Sequence, residues 1–243
     1  HKIYITGVDE KQVGKVKRAM KKTREKSFRN LIRSKKFRPE KYEEDKGLLI
    51  DKLNAWGYRD ALLLSDSVVQ IDDSHVDIYM NLYQGQKYYL RNVSWVGNTV
   101  YDSDYLDYNL KMQKGDVYNQ EQLQNRLQVD EDAIGNLYYN NGYVFSQIEP
   151  VEVNIVGDSV DLEMRIIEGR QATLNRIKIT GNDRVFENVI RRELRTKPGD
   201  LFSMESIKRS LRDLSAMNQF DSEILQTELF KNIDTDYESG TVD

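Results

Sequence analysis

The sequence contains no cysteine, only two histidines and only three prolines among its 243 residues. The lack of thiols excludes a disulfide framework and thiolate metal sites, and His1 and His75 alone leave almost no material for a histidine-based metal or catalytic centre. We therefore expect no cofactor, no metal and no catalytic residue. No apolar run approaches the roughly 20 residues of a membrane-spanning helix, and the first residues lack the apolar region of a signal peptide. These absences predict a soluble, mature or excised piece.

Positive charge is concentrated near the N-terminus, although the whole chain carries a net charge of −4. Residues 11–41 hold 14 Lys or Arg against Glu25 and Glu40, whereas residues 42–243 hold 21 against 36 acidic residues. The basic stretch is typical of a solvated helix face, of a surface for anionic lipid head groups or of a contact for an acidic partner. Nucleic acid is disfavoured, because the rest of the chain is acidic and no aromatic and basic platform recurs. The candidate patch facing a partner or lipid consists of Lys17, Arg18, Lys21, Lys22 and Arg24.

An internal repeat is the most informative feature of the sequence. The segment from Val76 to Gly85 matches the segment from Val160 to Gly169 at a constant offset of 84, and apolar side chains occupy every second position in both. This alternation predicts a strand with one buried face. Upstream, residues 93–98 match residues 177–182 at the same offset, and residues 3–7 match at an offset of 90. Each of these segments is predicted to be a short strand that ends at Gly.

Two helices are predicted between these strands in every copy. The first carries two apolar residues one turn apart, which gives it one buried stripe. The second begins where an aromatic residue is followed three positions later by Glu and five later by an apolar residue. With Asn119 and Ser203 as N-caps, the aromatic and apolar residues form a hydrophobic staple, and Pro39 fits the first turn of the corresponding helix. The apolar pairs are Val16 and Met20, Leu106 and Leu110, and Ile190 and Leu194.

The ends of the second helices complete the predicted module. Gly57 and Gly142 suit the left-handed residue after a helix, and Asn218 takes that place in the third copy. The first copy has an insertion around residues 26–36. We predict an α+β fold: an elongated array of three βααββ modules, each a three-stranded mixed sheet covered by two helices. The modules span residues 1–87, with the basic helix and inserted loop, residues 88–169, and residues 170–243, in which the final strand is truncated.

Short motifs recur in the same order in the copies. A Gly-Asn pair ends a strand at 97 and 181, Lys-Gly-Asp at 114 and Pro-Gly-Asp at 198 separate the helices, and Asn-Gly-Tyr begins at 141. With these motifs and the strand at Val160, the whole chain resembles tandem polypeptide-transport-associated (POTRA) domains of the BamA family of outer-membrane protein assembly factors. The segment from Arg191 to Arg195 resembles the opening helix of the last, barrel-proximal POTRA domain. The copies would then be the last three of five, with a membrane β-barrel after Asp243.

The resemblance implies a binding function and no enzyme activity. It implies the periplasmic portion of an outer-membrane protein in a Gram-negative bacterium, which receives unfolded outer-membrane proteins and docks accessory lipoproteins of the assembly complex. One alternative keeps the domains but assigns them to a lipopolysaccharide, two-partner-secretion or cell-division system, and the residues after Asp243 would distinguish the two. Another alternative, an α/β enzyme, would need polar groups that converge in one pocket.

The βααββ pattern also predicts where other chains can bind. With the last strand central, the strand after the second helix lies at one edge of the sheet, and its free N–H and C=O groups can pair with an extended peptide. We expect these edges at residues 58–71, 143–156 and 220–233. The candidate peptide-binding positions are Tyr58, Leu62, Leu64, Tyr143, Phe145, Phe220, Ile224 and Leu225.

The alternative interpretation is that charged or kinked residues protect these edges against pairing with another chain. Proline lacks the N–H that a ladder needs, so the edge of the second copy is the poorest candidate in its second half. The residues concerned are Asp66 and Ser67 in the first copy, Glu149 and Pro150 in the second, and Glu223 and Glu228 in the third.

Overall fold

The computed structural model describes residues 2–25, 37–73, 75–182, 185–217, 219–221, 225, 227 and 233–243. Within these residues, no helix is both long enough and apolar enough to cross a membrane. The chain divides into two compact units. The first comprises His1–Val93, Met112–Gln124 and Glu152–Leu162, and the second comprises Ser94–Lys111, Asn125–Val151 and Glu163–Asp243.

The first repeat has the predicted order of strand, helix, helix, strand and strand. In its sheet β3 is central, with β1 parallel to it on one side and β2 antiparallel on the other. The parallel connection needs a long crossover, which the two helices supply. The elements are β1 (Lys2–Thr6), α1 (Glu10–Ala19), α2 (Pro39–Ala55), β2 (Leu62–Asp72) and β3 (His75–Tyr83).

The second and third repeats have the same strand order, with the last strand central. The predicted α+β fold of three mixed three-stranded sheets is confirmed. The second repeat contains β4 (Tyr89–Val96), α3 (Ser103–Leu110), α4 (Gln120–Gln124), a π-helix (Asn125–Val129), α5 (Ile134–Asn140), β5 (Gln147–Val156) and β6 (Ser159–Ile167). The third contains β7 (Thr173–Leu174), α6 (Glu187–Arg191), α7 (Met204–Ala216), β8 (Thr235–Asp236) and β9 (Thr241–Val242).

The predicted caps of the second helices are confirmed at Asn119 and Ser203, whereas Leu194, predicted on the first helix of the third repeat, lies beyond the end of α6 at Arg191. The Asn119 side-chain oxygen accepts the amide of Gln122 at 2.9 Å, and the Ser203 hydroxyl accepts the amide of Ser206 at 3.3 Å. Both caps therefore satisfy a free N–H of the first helical turn. Pro39 is the first residue of α2. The insertion at 26–36 and Asn218 lie outside the described residues.

The cores consist of apolar residues that alternate along the central strands and recur on the helices. In the first repeat, Ile78, Met80 and Leu82 of β3 are buried against Val16 of α1 and Leu49 of α2. Among the described residues, the core cluster of the third repeat contains Ala172, Leu174, Phe202 and Val242. Apolar burial is the main favourable term in folding, so these clusters stabilise the sheets that they cover.

Two predicted elements of regular structure are wrong. Residues 177–180 do not form a strand, since β7 ends at Leu174. The second helix of the middle repeat is not continuous either. The π-helix follows α4 directly, and the chain then leaves the helical conformation until α5. Arg126, a buried residue of the π-helix, donates to Asp130 and Asp132 in the connection that follows.

Candidate functional site

β2 is an eleven-residue edge strand that pairs with β3 on one side. Among the described residues, no strand pairs with its other side. The register shifts between Leu63 and Ser65 and again between Gln70 and Asp72. Such irregularities interrupt a ladder and twist the strand, which is one way that proteins protect an edge. The segment Ser65–Gln70 lies between the two shifts and stays in register, so it offers about 20 Å of regular edge.

The two faces of this segment differ in their surroundings. Asp66 lies opposite Met80, which is buried, so its side chain faces the helices. The Tyr42 hydroxyl donates a hydrogen bond to the Asp66 carboxylate at 2.9 Å, and the Lys46 ammonium lies 3.3 Å from it. The Asp66 charge is therefore engaged by α2. Ser67 lies opposite the half-exposed Tyr79 on the other face.

Burial and the Asp66 carboxylate both shift the pKa values of Tyr42 and Lys46. Burial is the larger cause that raises the pKa of Tyr42, and its hydrogen bond to Asp66 raises it further, so this hydroxyl stays protonated. Burial alone would lower the pKa of Lys46, but the hydrogen bonds to Glu43 and Asp66 raise it above its ordinary value. The cluster is therefore a fixed ion pair with a neutral donor, and its chemistry is structural.

β2 carries exposed apolar side chains on both of its faces. Leu62, Leu64 and Ile71 are 57%, 59% and 57% exposed, and Val68 and Val69 are also exposed. A long, exposed and apolar edge strand is a site where another extended chain can pair. Leu62 and Leu64, two of the sequence-predicted positions, lie on this strand.

The edge strand of the second repeat, β5, is less available. Pro150 lies within it, and proline cannot donate to a ladder. The side chain of Glu152 accepts a hydrogen bond from Arg59 at 2.5 Å and another from the Tyr118 hydroxyl at 2.9 Å. Burial would lower the pKa of Arg59, but the bond to Glu152 raises it above its ordinary value, so this guanidinium stays charged. The middle of β5 is therefore already in contact with another part of the chain.

Three predicted edge positions lie outside the strands. Tyr58, Tyr143 and Phe145 precede β2 and β5, which begin only at Leu62 and Gln147. The amide of Tyr58 donates to the Leu53 carbonyl, and the amide of Tyr143 donates to the Tyr138 carbonyl. These bonds close the preceding helices, so the two tyrosines belong to helix termination and not to the edges. Phe145 follows in a turn.

The predicted edge of the third repeat is wrong at the residues that can be checked. Phe220 lies in a bend, and Leu225 is helical, with its amide donating to the Asp221 carbonyl at 2.9 Å. Ile224 lies outside the described residues. The strand in this place, β8, contains only Thr235 and Asp236, because its partner β9 is equally short. A helical segment has no free edge, so Leu225 cannot act as predicted.

The basic patch is less positive than the sequence suggests. Lys17 forms an ion pair with Glu25 at 2.8 Å, and Lys22 forms one with Glu44. The Arg18 guanidinium donates to the Gly14 carbonyl at 3.1 Å. Lys21 and Arg24 are exposed, and no carboxylate of the described residues lies within ion-pair distance of either. Within the described residues, three of the five predicted cations, Arg18, Lys21 and Arg24, therefore have no carboxylate partner and can attract an anionic partner.

Sequence reasoning missed a contact at the ends of the second helices. Gly57 has a φ of +90°, its carbonyl accepts the amide of Tyr88 at 2.8 Å, and a Cβ at this position would lie 2.5 Å from Val117. A glycine is therefore required both to end the helix and to admit the next repeat. The available signal was the offset of 84 or 85 residues that relates these positions to Gly142, Ala172 and Leu201, which make the same contacts.

A comparison with protein families identifies the repeated unit. The POTRA family model, described as a surface antigen variable number repeat, matches residues 88–169 and 172–243, which are more than half of the chain. The chain belongs to the POTRA family. The first repeat lies outside these two matches, but it has the POTRA order of elements and the same central strand.

Curated relatives of this POTRA chain are outer membrane protein assembly factors. The chain is 28% identical over 196 residues to BamA of Neisseria meningitidis serogroup B, which covers 79% of this chain and 24% of that protein. It is 23% identical over 237 residues to BamA of Nitratidesulfovibrio vulgaris, which covers 96% of this chain and 30% of that protein. The chain thus spans less than a third of either relative's length.

A solved structure has the same POTRA fold. The crystal structure of POTRA domains 3–5 of Haemophilus influenzae BamA superimposes with a TM-score of 0.73 at 18% identity, covering all of this chain and 92% of that one. The predicted family, POTRA domains of the BamA type, is confirmed. The predicted localisation is confirmed as well, since such domains are the periplasmic parts of outer-membrane proteins.

Proposed function

We propose that this chain is the periplasmic binding scaffold of an outer-membrane β-barrel assembly machine. In this proposal it consists of three modules, 1–87, 88–169 and 170–243, and receives unfolded outer-membrane proteins by β-augmentation. It acts by non-covalent binding and not by catalysis. Its further partners are accessory lipoproteins of the complex and a membrane β-barrel that follows the POTRA array in the full-length protein. The names of the relatives, outer membrane protein assembly factors, support this role.

The observation that carries the proposal is the open edge of β2. The in-register segment Ser65–Gln70 presents backbone groups with no strand against them among the described residues, and exposed apolar side chains flank it. Backbone pairing depends little on the partner's side chains, which suits a receptor for many different outer-membrane proteins. The edge of β5 is interrupted by Pro150, and among the described residues β8 comprises only Thr235 and Asp236. We therefore assign peptide binding to the first repeat, at Leu62 and Leu64 and along the segment between the register shifts.

Site-specific photo-crosslinking in cells tests this assignment. A crosslinking residue placed at Leu62, Leu64 or Val69 of the full-length protein is expected to capture unfolded outer-membrane proteins, because these side chains are exposed on β2. The captured chains would be identified by mass spectrometry after denaturing purification.

The matched control is Asp51, which is exposed on α2 of the same repeat. Phe145 and Leu225, which do not lie on open strands, are expected to give few or no crosslinks. Equal crosslinking from Asp51 and the β2 positions would show that clients touch the repeat without using the edge. No crosslinks from any β2 position would rule out the proposed receptor.

A further inference from the structure

The third repeat contains a surface cavity of about 550 Å³ that is lined mainly by arginines. Arg195 lies between α6 and α7, and the other lining residues lie on α7. The cavity volume falls in the range of small-ligand sites. The lining residues are Arg195, Ser206, Arg209, Arg212 and Asp213.

One wall of the cavity is fixed by hydrogen bonds. The amide of Arg195 donates to the hydroxyl of Ser210 at 2.7 Å, and Ser210 is itself buried. The Arg195 side chain donates through Nε to Asp213 at 2.7 Å, and this bond is the main cause that raises the pKa of Arg195. The Arg195 backbone is therefore held against α7 by one contact and its guanidinium by another.

The cavity has more positive than negative charge. Arg195 has Asp213 as its partner, and Arg209 has Glu205, four residues earlier on α7. No carboxylate of the described residues lies within ion-pair distance of Arg212. One positive charge thus remains after both acidic neighbours are counted, in a chain whose net charge is −4.

We propose that this arginine cavity binds a phosphate group. Each guanidinium carries five N–H donors in a planar fork, and the two ion pairs use only part of the donors of Arg195 and Arg209. A carboxylate offers two oxygens in one plane and a single negative charge. A phosphate offers more acceptor oxygens in a tetrahedral arrangement and more negative charge, so it can accept from more than one of the guanidiniums that line the cavity. The phosphate belongs either to the head group of an anionic lipid or to a free soluble phosphate.

Binding of inorganic phosphate and of lipid vesicles to the whole chain tests the proposal. Calorimetric titration with phosphate, at constant ionic strength, is compared with flotation on vesicles of phosphatidylglycerol and of phosphatidylcholine. Arg212→Gln and Arg209→Gln are each expected to weaken binding by roughly tenfold, the usual effect of losing a charge-assisted hydrogen bond. Binding to free phosphate would assign a soluble ligand, whereas binding to phosphatidylglycerol vesicles alone would assign a lipid head group.

Lys208→Gln is the matched control, because Lys208 is exposed on the same helix and does not line the cavity. This substitution changes the net charge equally and is expected to alter binding less than twofold. Circular dichroism of each variant checks that the fold is intact. An equal loss in Lys208→Gln would indicate general charge attraction and overturn the proposal. So would a lack of response to both phosphate and phosphatidylglycerol, or binding of a polyglutamate peptide in place of either.

Discussion

Gly97→Ala is expected to lower the free energy of unfolding by roughly 3 kcal/mol, whereas Gly181→Ala is expected to cost about 1 kcal/mol. Gly97 directly follows β4, and Gly181 is the matching residue of the third repeat. Their φ angles are 89° and 75°, so an alanine at either site would be strained by the same left-handed backbone conformation. A methyl group added at Gly97 would collide with the carbonyl oxygen of Ile166, whereas no atom of the described residues lies within 4 Å of a Cβ at Gly181.

Equilibrium urea unfolding followed by circular dichroism would measure both losses. Gly7→Ala provides a second severe case, because its methyl group would collide with the Leu82 carbonyl in the same way. The contrast tests whether a carbonyl of the central strand lies directly against the glycine in the first two repeats. Equal losses in Gly97→Ala and Gly181→Ala would contradict this difference between the sheets.

Arg126→Leu is expected to destabilise the chain by about 2 to 3 kcal/mol. The Arg126 side chain is only 7% exposed and donates to the Asn109 carbonyl at 3.0 Å, to Asp130 at 3.0 Å and to Asp132 at 2.5 Å. Leucine would leave these acceptors without their donor. This loss of unfolding free energy is at the lower end of the range for breaking a buried ion pair, because the Asp130 and Asp132 side chains are partly exposed and can be hydrated.

The control for Arg126→Leu is Arg165→Leu, which removes an exposed ion pair with Glu163. This control is expected to change the free energy of unfolding by less than about 0.5 kcal/mol. Urea unfolding of both variants would compare them. A similar small effect for the two substitutions would mean that the π-helix does not depend on the buried guanidinium.

The effect of Arg126→Leu is also expected to depend on pH. Hydrogen bonds from Arg126, and next from Lys111, hold the pKa of Asp132 far below its ordinary value. A carboxylate with a lowered folded-state pKa contributes stability that is present above its unfolded pKa of about 4 and is lost as the pH falls towards the folded value. The difference between the wild-type chain and Arg126→Leu should therefore be constant near neutral pH and shrink below about pH 4.

Local rules predicted the features that depend on a few neighbouring residues. The caps at Asn119 and Ser203 and the left-handed glycines at 57 and 142 could be predicted, because helix termini are satisfied by residues within one turn. The strands β3 and β6 could be predicted as well, because apolar side chains at every second position indicate a strand with one buried face.

The features that were missed depend on residues far apart in the sequence. Residues 177–180 have the pattern of a strand, but only Thr173 and Leu174 of this region pair with β9. Arg126 occupies a position in an amphipathic helix where the sequence suggests a surface residue, yet it is buried by acceptors from two other segments. Spacing along one segment does not contain such information.

The candidate site likewise combines features that the sequence predicted with features that depend on distant residues. Leu62 and Leu64 could be placed on an edge strand from the repeat alone, but the register shifts at Leu64 and Ile71 depend on how β2 aligns with β3. Asp66 was a candidate protector of the edge, and only the packed structure shows that Tyr42 and Lys46 hold its carboxylate on the helix side. The arginine cavity combines Arg195 with residues of α7, and no sequence motif connects them.

Hydrogen–deuterium exchange on the whole chain tests the proposed receptor most directly. The ligand is a synthetic peptide that copies one strand of an outer-membrane protein, and the control is the same peptide with alternate amides methylated, which cannot complete a ladder. The unmodified peptide is expected to slow amide exchange in Ser65–Gln70, because it pairs with the open edge of this segment. The methylated peptide is expected to leave the exchange rate of the same amides unchanged. Unchanged exchange in Ser65–Gln70 while the peptide slows exchange in another segment would contradict binding at the β2 edge.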